Sequence, residues 1–212
     1  NFLMNPAVPR AMLGMYFLAA DPTLILNAGV ERALDEVILR EGSILQPRWP
    51  APLGQRGLTM IRMLTACMGL VNTATGGQGV ASSSAYVIYY VRGKDGNGEP
   101  FLLTDGLGVG YGARATADGV DAVYFVAQEN YPVEFLDLGY PVRLLAYGIH
   151  ADSGGAGRWR GGCGVVRELE ILAPEVMVSV RIDGILTPPW GVAGGRAGRG
   201  GRATVNPGRP DE

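Results

Sequence analysis

The chain has 212 residues and a formal net charge of −2, enough for one domain or two small ones and with no electrostatic case for binding nucleic acid or an anionic membrane. About 47% of residues are apolar, so a core can be buried and a disordered composition is excluded. The 33 glycines and 14 prolines favour turns and short strands over long helices.

The chain opens Asn1-Phe2-Leu3-Met4-Asn5, without an initiator Met and directly in apolar sequence, as expected of a piece of something longer. No apolar run approaches the ~20 residues that span a bilayer, and no basic-then-apolar signal opens the chain, so a cytoplasmic protein is expected. Cys67 and Cys163 lie far apart and are expected to be lone thiols.

Arg10 to Ala20 predicts a helix stopped by Asp21-Pro22. Val37 to Leu39 predicts a short strand, although Glu31 to Arg40 has helical propensity. Gln46 to Gly57, with three prolines and two glycines, is an ordered crossing loop. Thr59 offers an N-cap for a helix to about Asn72, with Ile61, Leu64, Met68 and Val71 facing the core. Gly76-Gly77-Gln78-Gly79 ends it. Strands follow at Ala85 to Arg92 and Phe101 to Thr104 around a polar loop from Gly93 to Pro100, then at Val142 to Ile149 and Val165 to Leu172. In that last strand Glu168 and Glu170 share one face, Leu169 and Ile171 the other. Val176, Val178, Val180 and Ile182 alternate with Met177, Ser179 and Arg181, the pattern of a half-buried strand. The fold class expected is α+β: one domain over 1–212, with two N-terminal helices, a mainly antiparallel body and long glycine-rich loops.

Three segments could carry chemistry. In Asp105-Gly106-Leu107-Gly108-Val109-Gly110-Tyr111-Gly112-Ala113-Arg114, alternate glycines allow close backbone approach to a ligand or to another chain segment. The turn Thr116-Ala117-Asp118-Gly119 follows where a dinucleotide-binding motif needs a long helix, and no Lys follows any glycine cluster as a phosphate-binding loop requires. In Asp152-Ser153-Gly154-Gly155-Ala156-Gly157-Arg158-Trp159-Arg160-Gly161-Gly162-Cys163-Gly164, Arg158 and Arg160 could grip a carboxylate or phosphate, or could pair with Asp152 or Glu168 to hold the loop. In Glu129-Asn130-Tyr131-Pro132-Val133-Glu134, two acids flank an amide and a Pro-fixed turn. His150, the sole histidine, makes a His-x-Asp pair with Asp152, two ligands where a metal site needs three or four. No Gly-x-Ser-x-Gly elbow suggests a serine nucleophile.

The order of these segments resembles the hydantoinase B/oxoprolinase family. The resemblance rests on Leu26-Asn27-Ala28-Gly29, Glu41-Gly42-Ser43-Ile44-Leu45-Gln46-Pro47, the Gly106 to Arg114 loop with Asp118-Gly119, Asn130-Tyr131-Pro132-Val133-Glu134, Tyr140-Pro141-Val142-Arg143, Asp152 to Gly162, and Pro188-Pro189-Trp190-Gly191 with Gly194-Gly195. The Asn-Tyr-Pro-Val-Glu form is closer to acetophenone-carboxylase-type members than to plain hydantoinases. The resemblance implies the C-terminal part of a B-type subunit. It would act with a hydantoinase A-like subunit that binds ATP, and with the N-terminal half of a hydantoinase B-like subunit, either as a cyclic-amide hydrolase or as a ketone carboxylase. A divalent metal, Mn or Zn, belongs to some such complexes; its ligands are expected outside this chain. By resemblance the positions shaping a pocket or subunit contact are Gly108, Gly110, Gly112, Asn130, Asp152, Arg158 and Arg160, and the catalytic candidates are Arg114, Asp118 and Glu134. The alternative is a non-catalytic assembly module, favoured by the lack of a His/Asp/Glu/Cys cluster in the sequence.

Overall fold

The computed structural model describes residues 13–14, 16–18, 21, 23–25, 27, 29, 36, 38–52, 54, 56–84, 87–124 and 129–208. Among these, helices α1 (Arg56–Thr75) and α2 (Val133–Gly139) accompany five strands: β1 (Val87–Lys94), β2 (Pro100–Leu107), β3 (Val142–Ile149), β4 (Val165–Ile171) and β5 (Val176–Ile182). The strands form a three-stranded sheet in the order β2-β1-β5 and a two-stranded sheet of β3 and β4, every pairing antiparallel. The fold is α+β and strand-rich, as the composition implies.

The first expected helix is helical at each described residue between 13 and 18. The second begins at Arg56, three residues before the expected cap, so Thr59 lies inside it; neither Arg56 nor Leu58 resists helical geometry once the crossing loop ends. Ile61 and Val71 are buried, and Leu64 and Met68 half-buried. At the far end Asn72 Nδ2 donates to Met68 O and Val80 O, and its Oδ1 accepts from Gly79 N. That amide clamps the loop under the last turn, while Gly76 and Gly77 take the positive φ values the exit requires.

Other expectations need correction. The strand at Val37 to Leu39 is absent at its described residues: Ile38 and Leu39 have no regular structure, because a strand needs a partner and none of the described residues pairs with them. Most of the alternative helix from Glu31 to Arg40 lies outside the described residues, and Glu36 and 38–40 are not helical. Glu129 to Glu134 is more than a turn. Pro132, at φ −55, stands at the N-cap of α2, Glu134 lies in its first turn, and Leu136 enters the core.

β1 and β2 run closer to the hairpin tip than composition suggests. The turn narrows to Asp95–Glu99, where Asp95 Oδ1 accepts from the backbone N–H of Asn97 and Glu99 and Gly98 has φ +86. β2 also continues three residues past Thr104, into the first glycine motif. The core lies between the sheets. Tyr89, Val91, Leu103, Leu136 and Val142 are buried, with Phe101, Tyr140, Leu169, Ile171 and Val176 packed on them. The expected half-burial of the valine face of β5 fails at its centre: Val178 and Val180 are 48% and 38% exposed, while Ser179 between them is half-buried.

Candidate functional site

Two regions bring the chemistry-bearing residues together. The first is a layer of glycine loops. Tyr111 N donates to Val120 O, Gly162 N to Tyr111 O, Gly119 N to Arg160 O, and Ala122 N to Cys163 O. Arg196 N and Arg199 N donate to Ala156 O and Ser153 O, adding a third segment. Glycine makes this stacking possible. A Cβ on Gly110 would overlap Gly162 O, one on Gly162 would overlap Val120 O, one on Gly112 would overlap Ala81 O, and one on Gly108 would press on Ala122. The open question for Gly108, Gly110 and Gly112 was ligand or chain segment; the space beside each is filled by this chain's own backbone.

The charged residues of this layer mainly hold loops. Arg160 makes a two-pronged contact with Asp121, Nη1 to Oδ1 at 2.7 Å and Nη2 to Oδ2 at 3.0 Å, rather than with Asp152 or Glu168. Asp118 Oδ1 accepts from Arg160 N at 2.9 Å, and Asp121 Oδ1 also accepts from Cys163 N at 2.7 Å. The Arg160 guanidinium, seconded by the Cys163 N–H, lowers the Asp121 carboxyl to about 2. Arg158 lies over the Trp159 ring, 5.8 Å from its centre. Asp152 is exposed at φ +57, a conformation Asp tolerates better than most residues, in a turn where Ser153 Oγ donates to His150 O and accepts from Gly164 N. Arg114 is exposed and its N–H donates to Ala117 O. Glu134 is exposed on α2, away from this layer.

The second region lies between the sheets. Arg167 of β4 and Asp105 of β2 form an ion pair whose side chains are only 3% and 2% exposed. Tyr89 OH donates to Asp105 Oδ2 at 2.9 Å and accepts from Arg167 Nη1 at 3.0 Å; Asp105 Oδ1 accepts from Gly106 N. Burial pushes the Tyr89 phenol well above its ordinary value. A bulge in β3 between Leu144 and Ala146 changes which residues face inward, so Tyr147 pairs opposite Arg167. Its ring stands 4.4 Å from the guanidinium carbon. Asn130 Oδ1 completes the set, accepting from Tyr147 OH at 2.7 Å and Arg167 Nη2 at 3.3 Å. Of the residues singled out in sequence, Asn130 alone joins this network.

A cleft of about 240 Å³ is lined by Ile88, Thr104, Asp105, Gly106, Tyr124, Glu129 and Tyr131, and of the side chains in the buried network only Asp105 borders it. Its polar lining is two carboxylates and three hydroxyls. That is an acceptor-rich wall over an apolar patch, suited to a small ligand presenting N–H or O–H groups. Asp105 and Arg167 were missed in sequence, yet a signal existed. Asp105 alternates in phase with Leu103 and Leu107, and Arg167 with Leu169 and Ile171, so each is a lone charge on an apolar strand face. Among the described residues no group of three or more His, Cys, Asp or Glu could hold a metal ion. No helix among them is long and apolar enough to cross a membrane.

The sequence model described as hydantoinase B/oxoprolinase matches residues 1–212. An uncharacterised protein of Methanocaldococcus jannaschii is 34% identical over 186 residues, 87% of this chain and 32% of its own length. The putative B-type subunit of a D-/L-hydantoinase from Pseudomonas sp. strain NS671 is 27% identical, covering 88% of this chain and 31% of its own. The beta subunit of the Pseudomonas jessenii caprolactamase is 28% identical over 92% and 35% respectively. A nucleotide-free acetone carboxylase structure aligns at 24% identity and a TM-score of 0.49, covering 67% of this chain and 19% of that one. The chain thus spans about a third of the length of these three relatives.

Proposed function

Because the chain belongs to the hydantoinase B/oxoprolinase family, we propose that it forms part of an ATP-dependent enzyme that opens cyclic amides, acting with a hydantoinase A-like subunit that binds ATP and with the N-terminal half of a hydantoinase B-like subunit. The observation that carries this reading is the family match over all 212 residues. Two relatives are named for cyclic amides, a hydantoinase and a caprolactamase. The chemical logic is activation. An amide oxygen attacks the terminal phosphoryl group of ATP and ADP departs; water adds to the ring carbon and the C–N bond opens to an amine and an acyl phosphate; a second water then releases phosphate and leaves the carboxylate. This chain's contribution is a rigid wall. Asp105, held by its buried pair with Arg167, borders the cleft, and Glu129 and Tyr131 offer acceptors to a cyclic amide N–H.

Two other readings have an observation behind them. The Asn130-Tyr131-Pro132-Val133-Glu134 segment, which resembles carboxylase-type members, borders the cleft and favours a ketone carboxylase. The self-filled glycine layer favours a bracing module without chemistry. ATP turnover by the purified complex decides. Turnover that requires a cyclic amide and ignores bicarbonate supports the hydrolase, and a strict need for bicarbonate supports the carboxylase. Arg114→Ala and Glu134→Ala variants with unchanged turnover and weakened assembly support the brace.

A further inference from the structure

Strand β5 ends the three-stranded sheet, and among the described residues it pairs only with β1. Its cross-strand partners are well covered: Val91, opposite Val178, is buried, as is Tyr89, opposite Val180. Val178 and Val180 themselves are 48% and 38% exposed. Apolar side chains and a row of backbone groups are therefore open on the same margin of the sheet. Sheet edges are usually blunted by proline, charge or distortion. The opposite edge fits that rule, since β2 starts at Pro100 and ends among glycines. β5 has neither residue type, and Arg181 is its one charge in seven residues. An unguarded edge beside an uncovered apolar face suits the addition of a strand.

We infer that β5 receives an extended segment from the part of a hydantoinase B-type polypeptide that these 212 residues do not span, carried by a partner chain. The inference rests on the family reading above. The three relatives described above align over only 31–35% of their own length, so most of a sequence of that length remains available to cover this margin. The edge also dictates the segment's chemistry. Residues beside Val178 and Val180 are apolar, alternating with polar residues beside Ser179, and a carboxylate stands near Arg181.

The test uses the assembled complex containing the family-length sequence. In hydrogen exchange, the peptide covering Val176–Ile182 is expected to exchange as slowly as the one covering Val87–Lys94. Val178→Lys weakens assembly by at least about tenfold, and Val178→Ile leaves it intact, because lysine cannot be buried unpaired beside a new strand. Rapid exchange of β5 in the complex, or normal assembly by Val178→Lys, overturns the inference. So does protection that appears when this chain dimerises without the remaining sequence, since the occupant is then a second copy. ATP turnover is measured on the same samples. A protected β5 without turnover leaves the docking standing and sinks the enzymatic reading; turnover with an unprotected β5 does the reverse.

Discussion

The glycine layer and the two-sheet core solve the problem of close packing in opposite ways. In the layer, strips of main chain from three distant segments touch directly, and stability comes from backbone hydrogen bonds that exist only because no Cβ intervenes. In the core, ordinary alternating strands bury apolar side chains, and a single ion pair is enclosed among them. The layer should therefore be sensitive to added volume, and the core to a removed charge. The contrast teaches where function can sit. A region whose close approaches are consumed by its own backbone has little room for a ligand, whereas the core's buried Asp105 also borders an open cleft.

Asp105→Ala is the strongest way to break this contrast. It leaves the Arg167 guanidinium buried without its counter-charge, an expected cost of about 3–5 kcal/mol in urea unfolding. The double variant Asp105→Leu with Arg167→Met removes both charges and should recover most of that loss. If the single variant is as stable as the parent, the pair is not a buried strut.

Next in size, Gly110→Ala and Gly162→Ala each drive a methyl group into facing main chain, at an expected cost of about 1–3 kcal/mol. Because both methyl groups force apart the same stacked strips, at Gly162 O and Val120 O, combining the variants should cost less than the sum. Strict additivity would mean that the loops separate independently and are not stacked.

Changing pH should separate the regions by direction. Asp121, held at about 2 by Arg160 and the Cys163 N–H, has a folded value below the ordinary ~3.9 of a free carboxyl. A depressed carboxyl stabilises the fold above its unfolded value, and that contribution is lost as pH falls from about 4 through 2. Tyr89 behaves inversely. Its raised phenol favours the folded state below the ordinary value of ~10, and that contribution is lost as pH climbs beyond it. Hydrogen exchange should show the loops around Asp121 loosening in acid, and tyrosinate absorbance should reveal late ionisation at Tyr89. Asp121→Asn should remove the acid effect, and Tyr89→Phe the alkaline one.

Much of the core could be read from the chain. Strands β4 and β5 follow from alternation, β3 from its apolar run, and the loop-rich α+β class from glycine and proline content. The Gly110–Gly162 contact could not, because its partners lie far apart in sequence and glycine has no side chain whose pattern betrays a neighbour. The bulge in β3 was equally hidden; a one-residue change of phase leaves composition untouched yet aims Tyr147 at Arg167. The ion pair was legible in principle, since Asp105 and Arg167 each interrupt an apolar strand face, but nothing in the sequence says that the two faces oppose each other. Asn130 could be chosen for its place in a motif, not for its hydrogen bonds.

Gly148→Ala gives the smallest and most discriminating effect. Gly148 lies in β3 opposite Val166, and an added Cβ there meets no atom within 4 Å. Alanine restricts the unfolded chain more than glycine does without disturbing the folded strand, so stability should rise by about 0.4–1 kcal/mol. The methyl group that damages the loop layer at Gly110 should thus help the core at Gly148. Calorimetry on both variants tests the sign directly. A loss at Gly148 in the 212-residue chain would show that glycine there is also needed by the fold, erasing the distinction between the regions. A gain in that chain with a loss in the family-length complex would instead mean that another part of the assembly rests on β3.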